Sequence, residues 1–204
     1  LQYKLKLLEK RCKKAGTPIG IGECFRTVKE QDALYAIGRT KSKGRSPVTN
    51  ARGKGYYSQH QWGIAADFYL AYDANRDGKV DAKDSFYNKN NEFKKIAKIA
   101  KKVGLAWGGD WKSIVDNPHL YLSKWGSTTS KLRKKYENPR RFKKEWKCKV
   151  KYKTAIRKGR SFTSKTLKTY PVGTSMNLLW KSKLGYAKVE KNGLVGYIRT
   201  RNIK

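Results

Sequence analysis

His60 and His119 are the only histidines in the 204-residue chain, and each lies near an aspartate at a spacing that can hold a metal. The first opens His60-Gln-Trp-Gly-Ile-Ala-Ala-Asp67 and the second closes Asp116-Asn-Pro-His119. Two imidazoles with one carboxylate form the ligand set of a catalytic zinc that leaves a fourth position for water. A structural zinc is usually closed by four ligands, mostly thiolates. These residues therefore predict a zinc hydrolase. A histidine followed by an aspartate is common by chance, so the longer string around the pair carries the argument.

That string is Ser58-x-His60-x-x-Gly63-x-Ala65-x-Asp67, followed by Asp116-x-x-His119. It resembles the family of zinc D-Ala-D-Ala carboxypeptidases and L-alanyl-D-glutamate peptidases. Leu34-Tyr-Ala-Ile-Gly-Arg-Thr40, Val48-Thr-Asn-Ala51 and Trp107-Gly-Gly-Asp-Trp111 are most similar to the L-alanyl-D-glutamate endolysins of phages. The likeness runs from Leu1 to Trp125. It implies a Hedgehog/DD-peptidase-like α+β domain with zinc on His60, Asp67 and His119, and a substrate in the L-Ala–D-Glu bond of the peptidoglycan stem peptide. Asp116, aligned by Pro118, is then the group that takes the water proton and passes it to the leaving amine. Arg26 would stabilise the oxyanion or grip a substrate carboxylate, tasks that suit a planar, bidentate guanidinium. Ser58 is expected to hydrogen-bond behind the metal ligands rather than act as a nucleophile, since nothing pairs it with a histidine base. Trp62, Trp107 and Trp111 are candidates for cleft walls, with core packing expected for at least one.

A third constellation lies between the zinc ligands. Asp73, Asn75, Asp77, Asp81 and Asp84 occupy positions one, three, five, nine and twelve of a loop with Gly78 at six, and Lys79 at seven can offer its backbone carbonyl. This is the spacing of an EF-hand calcium loop. Four of the chain's 15 acidic residues crowd into it, a repulsion that a cation would relieve. The closing Asp in place of a bidentate Glu lowers the expected affinity, and the incoming segment reads as strand, so a calcium loop is expected without a whole EF-hand. Its calcium would be structural or regulatory.

The elements that must position these groups can be read from periodicity. Leu1, Leu5, Leu8, Cys12 and Ala15 recur at helical spacing before Gly16. Ile19 to Phe25 reads as a short strand leading to Arg26, and Thr27-Val-Lys-Glu30 is a capping box opening a helix that ends at Gly38. Arg39 to Gly55 is a polar loop. Ile64 to Tyr72 predicts a core strand carrying Asp67. Asn91 to Val103 predicts a helix with Phe93, Ile96, Ala97, Ala100 and Val103 on one face, and His119 to Leu122 predicts a strand on which His119 and Tyr121 share a side. The domain expected from Leu1 to Trp125 is thus α+β.

Residues 126–147 are basic, contain Ser and Thr, and are broken by Asn138-Pro139, which predicts a linker. From Cys148 to Lys204, alternating segments such as Tyr186-Ala-Lys-Val189 are separated by Gly and Asn turns, the pattern of a small all-β barrel. Gly185 to Ile198 resembles the last strands of a bacterial SH3-like wall-binding domain. The family's usual Asn-Val-Arg-x-Gly-Pro segment is represented only by Ala155-Ile-Arg-Lys-Gly159, and an oligomerisation or spacer barrel is the alternative.

With 49 Lys and Arg against 15 Asp and Glu, the chain carries a formal charge of +34. Such a field favours polyanions without choosing among them. Anionic cell-wall polymers satisfy it and agree with the zinc motif. A nucleic-acid-binding protein is the alternative of a different class, although no zinc finger, helix-turn-helix or aromatic RNP motif is present. A zinc D-Ala-D-Ala carboxypeptidase or host autolysin is the alternative within the same class. Cys12, Cys24 and Cys148 form no CxxC pair and are expected as reduced thiols. No stretch is long and apolar enough to span a membrane. The N-terminus does not resemble a signal peptide, which predicts synthesis in a host cytoplasm. The resemblance to phage endolysins implies holin-type release to the wall, and a monomer is expected.

Overall fold

Leu5, Leu8 and Cys12 lie one helical turn apart, and all three are buried on one face of α1 (Gln2–Lys14). Gly16 then adopts φ +73°, the left-handed conformation that closes a helix at little steric cost. The computed structural model of the protein describes residues 1–86, 91–112, 114–181 and 185–204. After β1 (Ile19–Ile21), Thr27 caps α2 (Val28–Ala36), with the Thr27 hydroxyl accepting from the Glu30 N–H and Glu30 accepting from the Thr27 N–H. β1 is shorter than the strand expected from the sequence; Glu23, Cys24 and Phe25 leave it as a connection to α2.

The rest of this unit comprises β2 (Ala65–Leu70), α3 (Ala82–Phe86), α4 (Glu92–Lys102), β3 (Leu105–Trp107) and β4 (His119–Leu122). The four strands form one antiparallel sheet in the order β1-β2-β4-β3. Alternation decides what each face holds. Ala66, Phe68, Leu70, Leu120 and Leu105 join Phe93, Ile96, Ala97 and Ala100 of α4 and the apolar face of α1 in one core. Ala65, Asp67, His119 and Tyr121 belong to the opposite side of the pleat, because successive strand residues point to opposite faces. The sheet therefore buries one face under helices and presents the other as a platform for the site.

The basic stretch after Trp125 corrects the expected linker. It folds into α5 (Ser130–Tyr136) and α6 (Pro139–Glu145), broken at Glu137 and Asn138. Leu132 and Tyr136, four residues apart, are buried, and Tyr136 meets Trp125 edge to face at 5.8 Å. The lysines that make the segment read as solvated lie between these anchors. The chain divides into two compact units at Leu1–Pro139 and Arg140–Lys204, so the first unit extends beyond the expected Trp125.

The second unit holds β5 (Lys147–Lys149), β6 (Thr154–Arg157), β7 (Thr166–Tyr170), β8 (Ser175–Lys181), β9 (Tyr186–Lys191) and β10 (Leu194–Arg199). Its strands make an antiparallel sheet in the order β5-β8-β9-β10-β6-β7. Asn192 and Gly193, at φ +51° and +81°, form the two-residue turn that joins β9 to β10 in register. Cys148, Val150, Ile156, Met176, Leu178, Val189 and Ile198 fill its core. The all-β texture expected from Cys148 onward is present.

Candidate metal centre

Asp67 and His119 are directly opposed in the β2–β4 register, which brings together side chains 52 positions apart in sequence. Opposed residues of antiparallel strands have Cβ atoms only about 5 Å apart. His60 arrives from a separate element, a 3-10 turn over Gln59–Trp62 that starts at Ser58 and is closed by Gly63 at φ +65°. The Ser58 N–H donates to Gln61 Oε1 at 3.1 Å, and its carbonyl accepts from the Gln61 N–H at 3.2 Å. Ser58 thus builds the turn that carries His60. The turn is held from outside by Gln59 Nε2 donating to Gly126 O at 2.8 Å and Trp62 Nε1 donating to Tyr56 O at 2.9 Å.

The three candidate ligand atoms form a nearly equilateral triangle. His60 Nε2 lies 3.2 Å from His119 Nδ1, His119 Nδ1 lies 3.2 Å from Asp67 Oδ1, and Asp67 Oδ1 lies 3.4 Å from His60 Nε2. Both histidines are buried. Four ligands at 2.0–2.1 Å around a tetrahedral centre are separated by about 3.3 Å, so this triangle has the size of one face of a zinc tetrahedron. A single shared proton cannot satisfy three converging acceptors, whereas a cation can. Among the described residues, His60 Nδ1 is buried without a hydrogen-bond partner. The donor set therefore fits zinc. Among the described residues, His60, Asp67 and His119 are the one cluster of three or more His, Cys, Asp or Glu side chains close enough to share an ion.

The surrounding groups tune this triangle. Burial works to raise the Asp67 carboxyl, but the interactions with His119 and His60 outweigh it and hold the group well below the usual carboxylate range. Gln59 Oε1 lies 2.8 Å from His119 Nε2 and accepts its proton, leaving Nδ1 free to face the triangle. Asp116 Oδ2 stands 4.0 Å from His119 Nδ1. Burial pushes the Asp116 carboxyl up, with the neighbouring Asp67 adding to the shift and His119 opposing it. Gly108 makes this approach possible, since a Cβ there would come within 2.6 Å of Asp116 O and 2.9 Å of His119 Cβ.

Trp111 covers the open side. Its ring centroid is 5.0 Å from that of His119, and its Nε1 donates to Tyr121 Oη at 3.2 Å. Trp62 and Trp107 are buried in packing roles, the latter donating to Asn117 O at 2.6 Å, so one of the three expected cleft tryptophans is at the site. Arg26 is held by two partners. Its Nε and Nη2 pair with the Glu23 carboxylate, and its Nη1 donates to Gln31 Oε1 at 2.7 Å. Its charge also reaches Asp116.

The Asp73–Asp84 loop is arranged differently from the zinc triangle. Asp73 accepts from the amides of Asp77 and Gly78, Asp77 from that of Lys79, and Asp84 from those of Ala74, Asn75 and Asp81. The Asn75 side chain donates to Asp77. These carboxylates accept from the loop's own backbone, and among the described residues they do not form a cluster close enough to share an ion, so the expected calcium centre is not supported by this geometry.

Gln59 and Glu23 had no distinguishing signal in the sequence, and Gln59 is unspecified in the Ser58-x-His60 motif. Gly108 lies within the Trp107-Gly-Gly-Asp-Trp111 string, but its role differs from that of Gly109 only in the fold.

Residues 51–122 match the D-alanyl-D-alanine carboxypeptidase family. The match contains all three corners of the triangle and Asp116. The peptidoglycan L-alanyl-D-glutamate endopeptidase CwlK of Bacillus subtilis (strain 168) is 42% identical over 118 residues, covering 52% of this chain and 62% of its own length. The L-alanyl-D-glutamate peptidase of Listeria phage A118 is 33% identical over 96 residues, covering 47% of this chain and 32% of its own. This chain therefore spans less than two thirds of either curated relative. The crystal structure of the Serratia marcescens L-Ala D-Glu endopeptidase ChiX aligns with a TM-score of 0.40 and 19% identity, over 60% of this chain and 80% of that one. The peptidase family resemblance read from the His60–Asp67 and Asp116–His119 motifs is borne out.

Proposed function

We propose that the protein is a zinc peptidoglycan hydrolase that cuts the L-Ala–D-Glu bond of stem peptides. The observation that carries this reading is the 3.2–3.4 Å triangle of His60, Asp67 and His119, sized for zinc and lying inside the matched segment. Zinc held there would supply a Lewis acid that lowers the pKa of a bound water to about 7. Asp116 takes the proton of the attacking water as its oxygen adds to the L-Ala carbonyl carbon. It returns that proton to the D-Glu nitrogen as the C–N bond breaks. A carboxyl raised by burial is suited to both halves of that exchange. Gln59 fixes the His119 tautomer, and Arg26, steadied by Glu23 and Gln31, provides positive charge beside the reacting carbonyl or a substrate carboxylate.

The second unit is proposed to be an SH3-like module that retains the enzyme on anionic wall polymers. Its antiparallel sheet and strong positive charge support that role. Calcium at Asp73, Asn75, Asp77, Lys79, Asp81 and Asp84 rests on their spacing alone.

Mass spectrometry of peptidoglycan digested with the purified protein tests the activity. New D-Glu amino termini are expected. Release of terminal D-Ala instead would reassign the site to a carboxypeptidase, and intact stem peptides would refute the hydrolase.

A further inference from the structure

The second unit carries a cleft whose walls are cationic and aromatic and contain no carboxylate. Arg157 ends β6, Arg199 ends β10 and Tyr186 opens β9. Register sets Arg157 opposite Tyr197 and Arg199 opposite Tyr186, so both guanidinium groups project from paired strands. The β6–β7 connection brings Phe162 to the cleft, where 68% of it is exposed. The guanidinium carbon of Arg157 lies 4.8 Å from the Phe162 ring centre and that of Arg199 lies 5.6 Å from the same centre. One aromatic ring thus holds two like charges close together. Lys153 and Arg201 add to the same wall.

Such a pair repels itself, and no carboxylate lines the cleft to relieve it. Between residues 140 and 204 the only acidic side chains are Glu145 and Glu190; neither lines the cleft, and Glu190 is engaged by Asn177 and the Gly193 amide. Arg157 spends one Nη1 bond on Ser164 O at 2.8 Å. Arg199 Nε is buried and, among the described residues, has no hydrogen-bond acceptor. A buried donor without an acceptor is costly, and a planar fork with free N–H groups matches the paired oxygens of an anion. The rings here are already faced by cations: Phe162 by both arginines, Tyr186 by Arg199 at 5.9 Å and Tyr197 by Lys188 at 5.5 Å. Bases of single-stranded nucleic acid stack on aromatic platforms. A base here would have to share the Phe162 ring with two guanidinium groups.

We propose that the cleft framed by Arg157, Phe162, Tyr186 and Arg199 binds a phosphodiester carried on a saturated polyol or sugar chain. The placement of that polymer in a bacterial wall rests on the hydrolase reading above; the phosphate chemistry does not.

The full-length protein is titrated with a fluorescent glycerol-phosphate oligomer, and three variants are compared with the parent. Arg157→Gln with Arg199→Gln is expected to weaken binding by about tenfold or more, because both forks are lost. Phe162→Ala removes an exposed ring and is expected to weaken binding several-fold at an unchanged Tm, so a folding defect cannot explain the loss. Lys147→Gln with Lys149→Gln removes the same charge from β5, whose lysines do not line the cleft, and is expected to cost less than about twofold. Equal losses in the two double variants would reduce the effect to diffuse charge and overturn the site. Tighter binding of an oligothymidylate of equal charge through the same arginines would overturn the ligand class. Walls stripped of phosphodiester polymers with hydrofluoric acid keep their stem-peptide carboxylates. Arginine-dependent binding to stripped walls as strong as to intact ones would assign the cleft to carboxylates and also overturn the proposal. A parent protein that binds the oligomer through these arginines but cuts no stem peptide would sink the hydrolase reading alone.

Discussion

At the scale of single residues, the site separates groups that would hold a metal from a group that would move a proton. His119→Ala removes one corner of the 3.2–3.4 Å triangle, and no third histidine exists to replace it. Zinc and activity are expected to disappear together, which metal analysis after dialysis would check. Asp116→Ala is expected to keep its zinc while kcat falls by roughly a hundred- to ten-thousandfold, the usual worth of a positioned acid–base group. Loss of zinc from that variant would make Asp116 a ligand. Gln59→Leu tests orientation instead. Without its acceptor, the His119 Nε2 proton is buried unpaired and the ring is free to change tautomer. Zinc affinity measured against a competing chelator is expected to drop about 10- to 100-fold.

At the scale of elements, the platform depends on the close approach of the Gly108 turn to the start of β4. Gly108→Ala places a Cβ 2.6 Å from Asp116 O and 2.9 Å from His119 Cβ, and backbone atoms cannot yield as a flexible side chain would. A stability loss of about 1–3 kcal/mol is expected from such overpacking, read by chemical denaturation, together with a lowered kcat from the displaced Asp116. The Asp73–Asp84 loop makes the opposite kind of prediction. If its spacing holds calcium, the carboxylates would meet the ion with lone pairs other than those that accept from the loop's amides. Millimolar calcium is then expected to raise the Tm of the parent and leave an Asp73→Ala, Asp77→Ala variant unmoved. An equal Tm with calcium or chelator would leave the loop as a self-capped connection between β2 and α4.

For the whole molecule, the expectation is a division of labour between a peptidase unit and a polymer-binding unit. A protein ending at Pro139, the observed boundary, is expected to lose more in pull-down with purified walls than in cleavage of soluble stem peptides. Undiminished pull-down would assign wall attachment to the basic surface of the first unit. Raising salt from about 0.1 M to about 1 M, which shortens the Debye length from about 10 Å to about 3 Å, is expected to weaken the charge-driven part of attachment.

The sequence alone singled out the candidate ligands, because a catalytic zinc demands particular side chains and their local spacing is fixed by short turns and strands. Ser58 to Asp67 and Asp116 to His119 are each local units of this kind. It also determined α1, α2, α4 and the strands bearing Asp67 and His119, since a buried face imposes its period on the chain. The tertiary structure alone decided which long-range neighbours complete the site. The β2–β4 register opposes Asp67 to His119, a 3-10 turn delivers His60, and Gln59 reaches a ring 60 positions away. The unit boundary was likewise a tertiary matter. Lysine-rich composition from 126 to 147 reads as solvated, yet Leu132 and Tyr136 bury one face of α5, and burial depends on what that face meets in space.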